Sequence, residues 1–154
     1  MANRIVPWNQ GHMHELMHTM RTADRKDLRA STGLMPNDAL ARSCYITGLG
    51  HLWTVLDDEN RVVATFGVAE HPHDRQVGIG WLVGSNLITE NPIAFGRITK
   101  RIIETAEADF DMLYNYVSMT NSVHRRWLQY AGFTLGHVQE VNGTTVQTFW
   151  KIKE

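Results

Sequence analysis

The dipeptide Asn142-Gly143 restricts what this chain can fold into more than any other pair of its residues. A two-residue hairpin loop needs positive φ at both central positions, and Asn-Gly supplies that at low steric cost. The flanking segments, 134–141 (TLGHVQEV) and 145–152 (TVQTFWKI), carry the β-branched and aromatic residues of paired strands. The chain therefore ends in an antiparallel hairpin, and a sheet must exist for that hairpin to join.

The segments upstream show which kind of sheet. Residues 3–6, closed by Pro7, read as a first strand, and Asn9 can cap a helix in which Met13, Leu16, Met17 and Met20 fall at i, i+3, i+4 and i+7. Residues 21–33 (RTADRKDLRASTG) read as a polar, charged stretch ending in a Ser-Thr-Gly break, with Asp24, Arg25, Asp27 and Arg29 as solvated helix charge. Pro36 suits the first turn of a second helix through Leu40, Ala41 and Cys44. From His51 the period changes to that of strands: 52–56, a turn at 57–60, a return strand 61–69, a break at His71 to Asp74, then a third strand 77–83. Residues 84–90 read as a loop. Asn91-Pro92 then starts a helix with Phe95, Ile98, Ile102 and Ile103 on one side, followed by a strand at 112–117. Asn121 caps a short helix with Val123, Trp127 and Leu128, which turns Trp127 toward the sheet and Arg125 and Arg126 outward, and Gly132 closes it.

An antiparallel meander comes first, and only the strand–helix–strand passage into 112–117 can run parallel. The expected fold is a mixed α/β sheet with helices on both faces, in one domain spanning 1–154. A hydrophobic fraction of 43% suits such a core, and a net charge of −1 without long like-charged runs gives no footprint for nucleic acid. No segment has the length and apolarity of a signal peptide or membrane span. The single cysteine, Cys44, cannot form an internal disulfide, which points to a reducing, cytoplasmic setting.

His14-Glu15-Leu16-Met17-His18 spells the HExxH zinc-protease pattern, which puts two imidazoles on one helical face. With eight histidines in the chain, Arg21 and Asp24 where a third ligand would stand, and few residues before it, the motif reads as a solvated helix flank. No metal site is expected.

The segment Asn121 to Phe133 (NSVHRRWLQYAGF), with its opening asparagine, apolar middle and Gly-Phe exit into a hairpin, resembles the GNAT N-acyltransferases, and so does the order of elements. Within that superfamily the chain is similar to the GNAT-like internal virion protein A of short-tailed bacteriophages. Asn115-Tyr116-Val117 and Gln147-Thr148-Phe149 carry this narrower likeness.

The resemblance implies a splay between the parallel strands 77–83 and 112–117, where unpaired backbone would bind the pantetheine arm of acetyl-CoA. The cofactor-binding residues it implies are Gly80, Trp81, Leu82, Val83, Gly84, Ser85 and Asn121, with Gly80–Val83 polarising the thioester carbonyl. It places a general base at Glu70, His71 or His73, and a thiolate donor at Ser118. The loop GSNLITENP departs from the family pattern, because Glu90 opposes a diphosphate and Pro92 withholds an amide, so weak cofactor binding is expected. The family's frequent proton-donating tyrosine aligns with Leu128, and Tyr130 points about 200° away around the helix. The implied function is transfer of an acyl group from acetyl-CoA to an unknown primary amine, with a homodimer compatible. The alternative is a non-catalytic scaffold that binds a host protein or serves virion assembly. A phage-encoded protein would reside in the host cytoplasm or the virion.

Overall fold

Asn9 begins the first helix as predicted: its side chain accepts the His12 N–H at 3.0 Å, and the His12 ring accepts the Asn9 N–H at 3.2 Å. The computed structural model containing this reciprocal cap describes residues 2–154. Its helix, α1 (Gln10–Thr19), buries Met13 and Leu16.

The polar stretch that follows is helical up to its Ser-Thr-Gly end. It forms α2 (Thr22–Thr32), closed by Gly33 in the left-handed region at φ 73°. Asp24, Asp27, Leu28 and Ser31 recur at i, i+3, i+4 and i+7, so this stripe turns inward, with Asp24 and Leu28 buried. The reading of Asp24 and Asp27 as solvated helix charge is thereby corrected: backbone N–H groups and the Asn121 amide elsewhere in the fold bond to them. Next comes α3 (Pro36–Thr47), which begins at its proline and is followed by a 3-10 turn at Leu49–His51.

The strands are β1 (Arg4–Pro7), β2 (Leu52–Leu56), β3 (Val62–His71), β4 (Asp74–Gly84), β5 (Met112–Ser118), β6 (Thr134–Val141) and β7 (Thr144–Ile152). Between β4 and β5 lie a short helix, α4 (Leu87–Glu90), within the expected loop, and α5 (Pro92–Glu107). Between β5 and β6 stands α6 (Ser122–Tyr130). Strands β3 and β4 run further than predicted, because the His71–Asp74 break is the tip of their hairpin. The Asn142-Gly143 loop has φ of 48° and 76°, the paired positive values its sequence called for.

All seven strands join one sheet in the order β1-β2-β3-β4-β5-β7-β6. Every neighbouring pair is antiparallel except β4 with β5, as the sequence required. On one face Met13, Leu16, Leu28, Leu40 and Cys44 of the first three helices pack on Leu52, Leu56, Val62 and Val83. On the other, Phe95, Ile98, Ile102 and Ile103 of α5 pack on Val63, Phe66, Val68 and Leu113, with Leu128 of α6 at the margin. Each fully buried aliphatic side chain in these two layers contributes about 1.5–3 kcal/mol. No helix among the described residues is long and apolar enough to cross a membrane.

The candidate functional site

The parallel ladder between β4 and β5 is short. Val77, Gly78 and Ile79 pair with Met112, Leu113 and Tyr114, and there the pairing stops. Gly78 permits this close start, since a Cβ on it would stand 2.3 Å from Val68 Cγ1 and 2.9 Å from Phe110 Cγ. At the branch point Asn115 Nδ2 donates to the Gly80 carbonyl at 2.9 Å, a side-chain substitute for the next rung. Beyond it the strands part around a cavity of about 100 Å³, walled by Gly80–Val83 on one side and Asn115–Ser118 on the other.

Helix α2 ties the open ends. Asp24 Oδ2 accepts the Gly84 N–H at 2.7 Å, at the end of β4. Asp27 Oδ1 accepts the Ser118 N–H at 2.9 Å, at the end of β5. The two carboxylates, one helical turn apart, thus replace the sheet partners that each strand lacks there. Asn121, 1% exposed, donates through Nδ2 to Asp24 Oδ1 at 3.0 Å and to Asp27 Oδ2 at 2.6 Å. Its Oδ1 accepts the His124 N–H at 3.3 Å, so the α6 cap and the clasp are one structure. His124 Nδ1 lies 3.1 Å from Asp24 Oδ1, and Arg21 donates to the same oxygen at 3.1 Å. His124 is buried and lines the cavity, while its Nε2 has no hydrogen-bond partner.

The two carboxyl groups are held in opposite senses. Burial pulls the Asp24 carboxyl upward, but His124, Arg21 and the Gly84 N–H outweigh it and leave it below its ordinary value. Burial pushes Asp27 up, and Asn121, His124 and the Ser118 N–H do not fully offset that. Asp24, Asp27 and His124 stand close enough to share a cation. The Asn121 amide nitrogen, within 3.0 Å of an atom of each, already occupies the middle of that group.

The residues expected from the sequence divide by position. Gly80, Trp81, Leu82, Val83 and Ser118 line the cavity. Gly84 is buried behind it, and the Ser85 hydroxyl donates toward the Val62 and Val63 carbonyls at 2.8 and 3.0 Å. Ser118 Oγ shares a hydrogen bond with Thr120 Oγ1 at 2.9 Å. Glu70 is exposed opposite Gly78, at the closed end of the fork, and His71 stands at the hairpin tip opposite Asp74; neither lines the cavity. His14 and His18 are exposed, and Glu15 of the same motif accepts the Val62 N–H at 2.6 Å. Burial pushes the Cys44 thiol up to about 12, so it holds no thiolate at neutral pH. His124 was not expected at the site, and Asp24 and Asp27, in the stretch that the family resemblance sets over the acceptor, were read as solvated helix charge. The signal for them was spacing, with Asp24, Asp27 and Leu28 on one stripe and His124 one turn after Asn121.

The overall fold is shared with known structures. A GNAT-family acetyltransferase from Bacillus anthracis superposes with a TM-score of 0.70 at 10% identity, covering 99% of this chain and 95% of the other. The fold is that of the GNAT acetyltransferases. Spermidine N-acetyltransferase from Vibrio cholerae, solved with CoA and spermine, matches at 0.68 and 13%, over 97% and 95% of the two chains. Ribosomal-protein-alanine N-acetyltransferase from Brucella melitensis gives 0.68 and 13%, over 97% and 99%. No family model matches the sequence, and no curated protein matches it. The likeness to GNAT proteins is therefore one of overall fold: the backbone superposes while most side chains differ.

Proposed function

We propose that this chain is an N-acyltransferase that takes its acyl group from acyl-CoA held in the fork between β4 and β5. The observation that carries the reading is the end of the ladder at Ile79 and Tyr114, which, past the Asn115 bond to Gly80, leaves the Trp81–Val83 backbone without a β5 ladder partner beside a cavity. An extended pantetheine arm has the amides to pair with such an edge. The similarity in fold to proteins named as acetyltransferases supports it, one of them solved with CoA.

The residues present fit the cofactor's two ends unequally. A separate groove of about 650 Å³ lies along α5 and α6 past Pro92, Ile93, Val123 and Tyr130, with Trp127 between it and the fork cavity, and Arg97 and Arg126 line it. These two cations would hold the diphosphate, because the loop before α5 offers Glu90 and Pro92 instead of a glycine-rich cradle. Bound there, acyl-CoA would supply an activated thioester; the chain supplies orientation, water exclusion by Leu82 and Phe149, and a path for the amine proton. The narrower phage likeness rests on Asn115–Val117 and Gln147–Phe149, two stretches that pair with each other across β5 and β7.

Thermal melting with acetyl-CoA tests the reading. A ligand of the native state at 100 times its Kd adds about 2.7 kcal/mol, several degrees for a domain of this size. The shift should vanish in Leu82→Trp, which adds bulk to the fork wall. An unshifted wild type at millimolar acetyl-CoA would falsify the proposal.

A further inference from the structure

We propose that His124, positioned by Asp24, is the proton acceptor of this site, and that Asp27 beside it selects a small cationic primary amine as the acyl acceptor. The inference rests on the acyl-transfer reading above and adds to it a base and a substrate class.

Counting hydrogens sets the protonation of the ring. The Asn121 amide has two hydrogens, and two carboxylate oxygens stand within 3.0 and 2.6 Å to take them. His124 Nδ1, 3.0 Å from the same nitrogen, finds no hydrogen left there. To bond Asp24 Oδ1 at 3.1 Å it must carry its own. The neutral ring is therefore the Nδ1–H tautomer, and Nε2 is a bare lone pair. That nitrogen is buried without a protein partner, in a residue 7% exposed that lines the cavity. A buried acceptor left unpaired is costly, and a donor entering the cavity removes the cost.

The charges point to what enters. Arg21 pairs with Asp24, whereas among the described residues Asp27 has no ion-pair partner. The cavity wall thus carries a carboxylate without a cation, next to an imidazole lone pair, under Trp81, Leu82 and Phe149. An alkylammonium group satisfies both polar requirements and its stem suits the apolar wall. The charged and titratable groups around His124 are Asp24 and Asp27 of α2 and Arg21 just before it, with Tyr116 of β5 on the cavity wall.

In the reaction the ammonium gives one proton to Nε2, and the freed amine nitrogen bonds to the thioester carbonyl carbon. The C–S bond breaks, the sulfur keeps its electron pair, and it takes a second proton from the nitrogen. Products are the amide, the free thiol and an imidazolium that returns its proton to water. Asp24 acts through His124 by fixing its tautomer and stabilising the imidazolium.

The test uses the full chain with acetyl-CoA and n-butylamine, and 4-aminobutyrate as the carboxylated counterpart. Nitrogen-15 NMR of the imidazoles should show His124 as the Nδ1–H tautomer; an Nε2–H tautomer overturns the proposal. By calorimetry His124→Gln should bind acetyl-CoA as wild type does, while its kcat with n-butylamine falls about 10²–10⁴-fold and rises steadily with pH. Asp24→Asn should move the acid limb of the rate profile to lower pH. Asp27→Asn should raise KM for n-butylamine about tenfold, and 4-aminobutyrate should be a poor acceptor for wild type. Unchanged kcat in His124→Gln overturns the base, and equal use of the two acceptors overturns the amine site. A wild type that binds acetyl-CoA but acylates neither also overturns it. Failure to bind acetyl-CoA at all sinks the acyl-transfer reading first, which separates the two.

Discussion

Asp27 Oδ1 accepts the backbone N–H of Ser118 at 2.9 Å, fastening α2 to the last residue of β5 across a chain separation of 91 residues. Asp24, one turn earlier, does the same for Gly84 at the end of β4. A parallel pair that separates must leave backbone groups unpaired, and each unpaired buried group costs about 1–3 kcal/mol. The two aspartates lower that cost without closing the gap.

Their opposite shifts predict opposite pH slopes. The Asp24 carboxyl is held below its ordinary value, so its stabilisation is present above that value and lost as pH falls through the lowered pKa. Asp24→Asn should therefore be most destabilising near neutrality, by about 1–3 kcal/mol, with the penalty shrinking in acid. The Asp27 carboxyl is raised, so stability is greatest below its ordinary value and declines as pH rises through the raised pKa. Asp27→Asn should accordingly gain on wild type as pH rises. Urea midpoints between pH 3 and 7 check both; parallel slopes would mean that the shifts are misassigned.

Trp127 joins α6 to α5 by two interactions, a ring contact with Phe95 at 5.7 Å between centroids and an Nε1 donation to Thr99 Oγ1 at 2.8 Å. Trp127→Ala should cost about 3 kcal/mol, and Trp127→Phe about 1 for the lost hydrogen bond. The neighbouring arginines are not equivalent, which corrects the expectation that both point freely outward. Arg125 donates to Gln147 Oε1 at 3.2 and 3.1 Å, whereas Arg126 is exposed. Chemical denaturation should find Arg125→Ala about 1 kcal/mol less stable and Arg126→Ala within about 0.5.

How much of this was legible follows from which forces act locally. The caps at Asn9 and Asn121, the Asn142-Gly143 turn and the apolar side of α5 are set by residues within a few positions, and the structure has them where expected. The parallel pair was legible because the meander leaves β4 and β5 no other way to meet. The inward stripe of α2 was not, since the helix's eight charged or hydroxyl side chains hide a stripe whose partners lie 60 to 97 residues away. The clasp was missed for the same reason: a buried aspartate looks like a surface one until Gly84, Ser118 and Asn121 are known to converge on it.

The HExxH motif offers a separate test. Glu15 of that motif accepts the N–H of Val62, a buried residue, so its function in this fold is to hold α1 against the start of β3. Glu15→Ala should cost about 1–3 kcal/mol by leaving that N–H unpaired. His14→Ala and His18→Ala should change stability by less than about 0.5 kcal/mol, and chelator should not move the melting temperature. Stoichiometric zinc in the purified protein, lost with stability in His14→Ala, would contradict this.

Affinity for CoA should depend on three exposed charges beside the groove. Glu90 opposes a diphosphate at the entrance to α5, while Arg97 and Arg126 line the groove from α5 and α6. At such exposure one charge–charge term is worth about 1 kcal/mol, several-fold in Kd. Glu90→Gln should tighten CoA severalfold, and Arg97→Ala or Arg126→Ala should loosen it by a similar factor. All three effects should shrink as salt rises from 0.05 to about 0.5 M, because exposed charges are screened over roughly 10 Å at 0.1 M. Pantetheine lacks the diphosphate and should bind the three variants and wild type alike. Calorimetric titration at two salt concentrations decides the matter. A pantetheine affinity that follows the same mutations would place their effect on the groove's shape, and the diphosphate would then have to lie elsewhere.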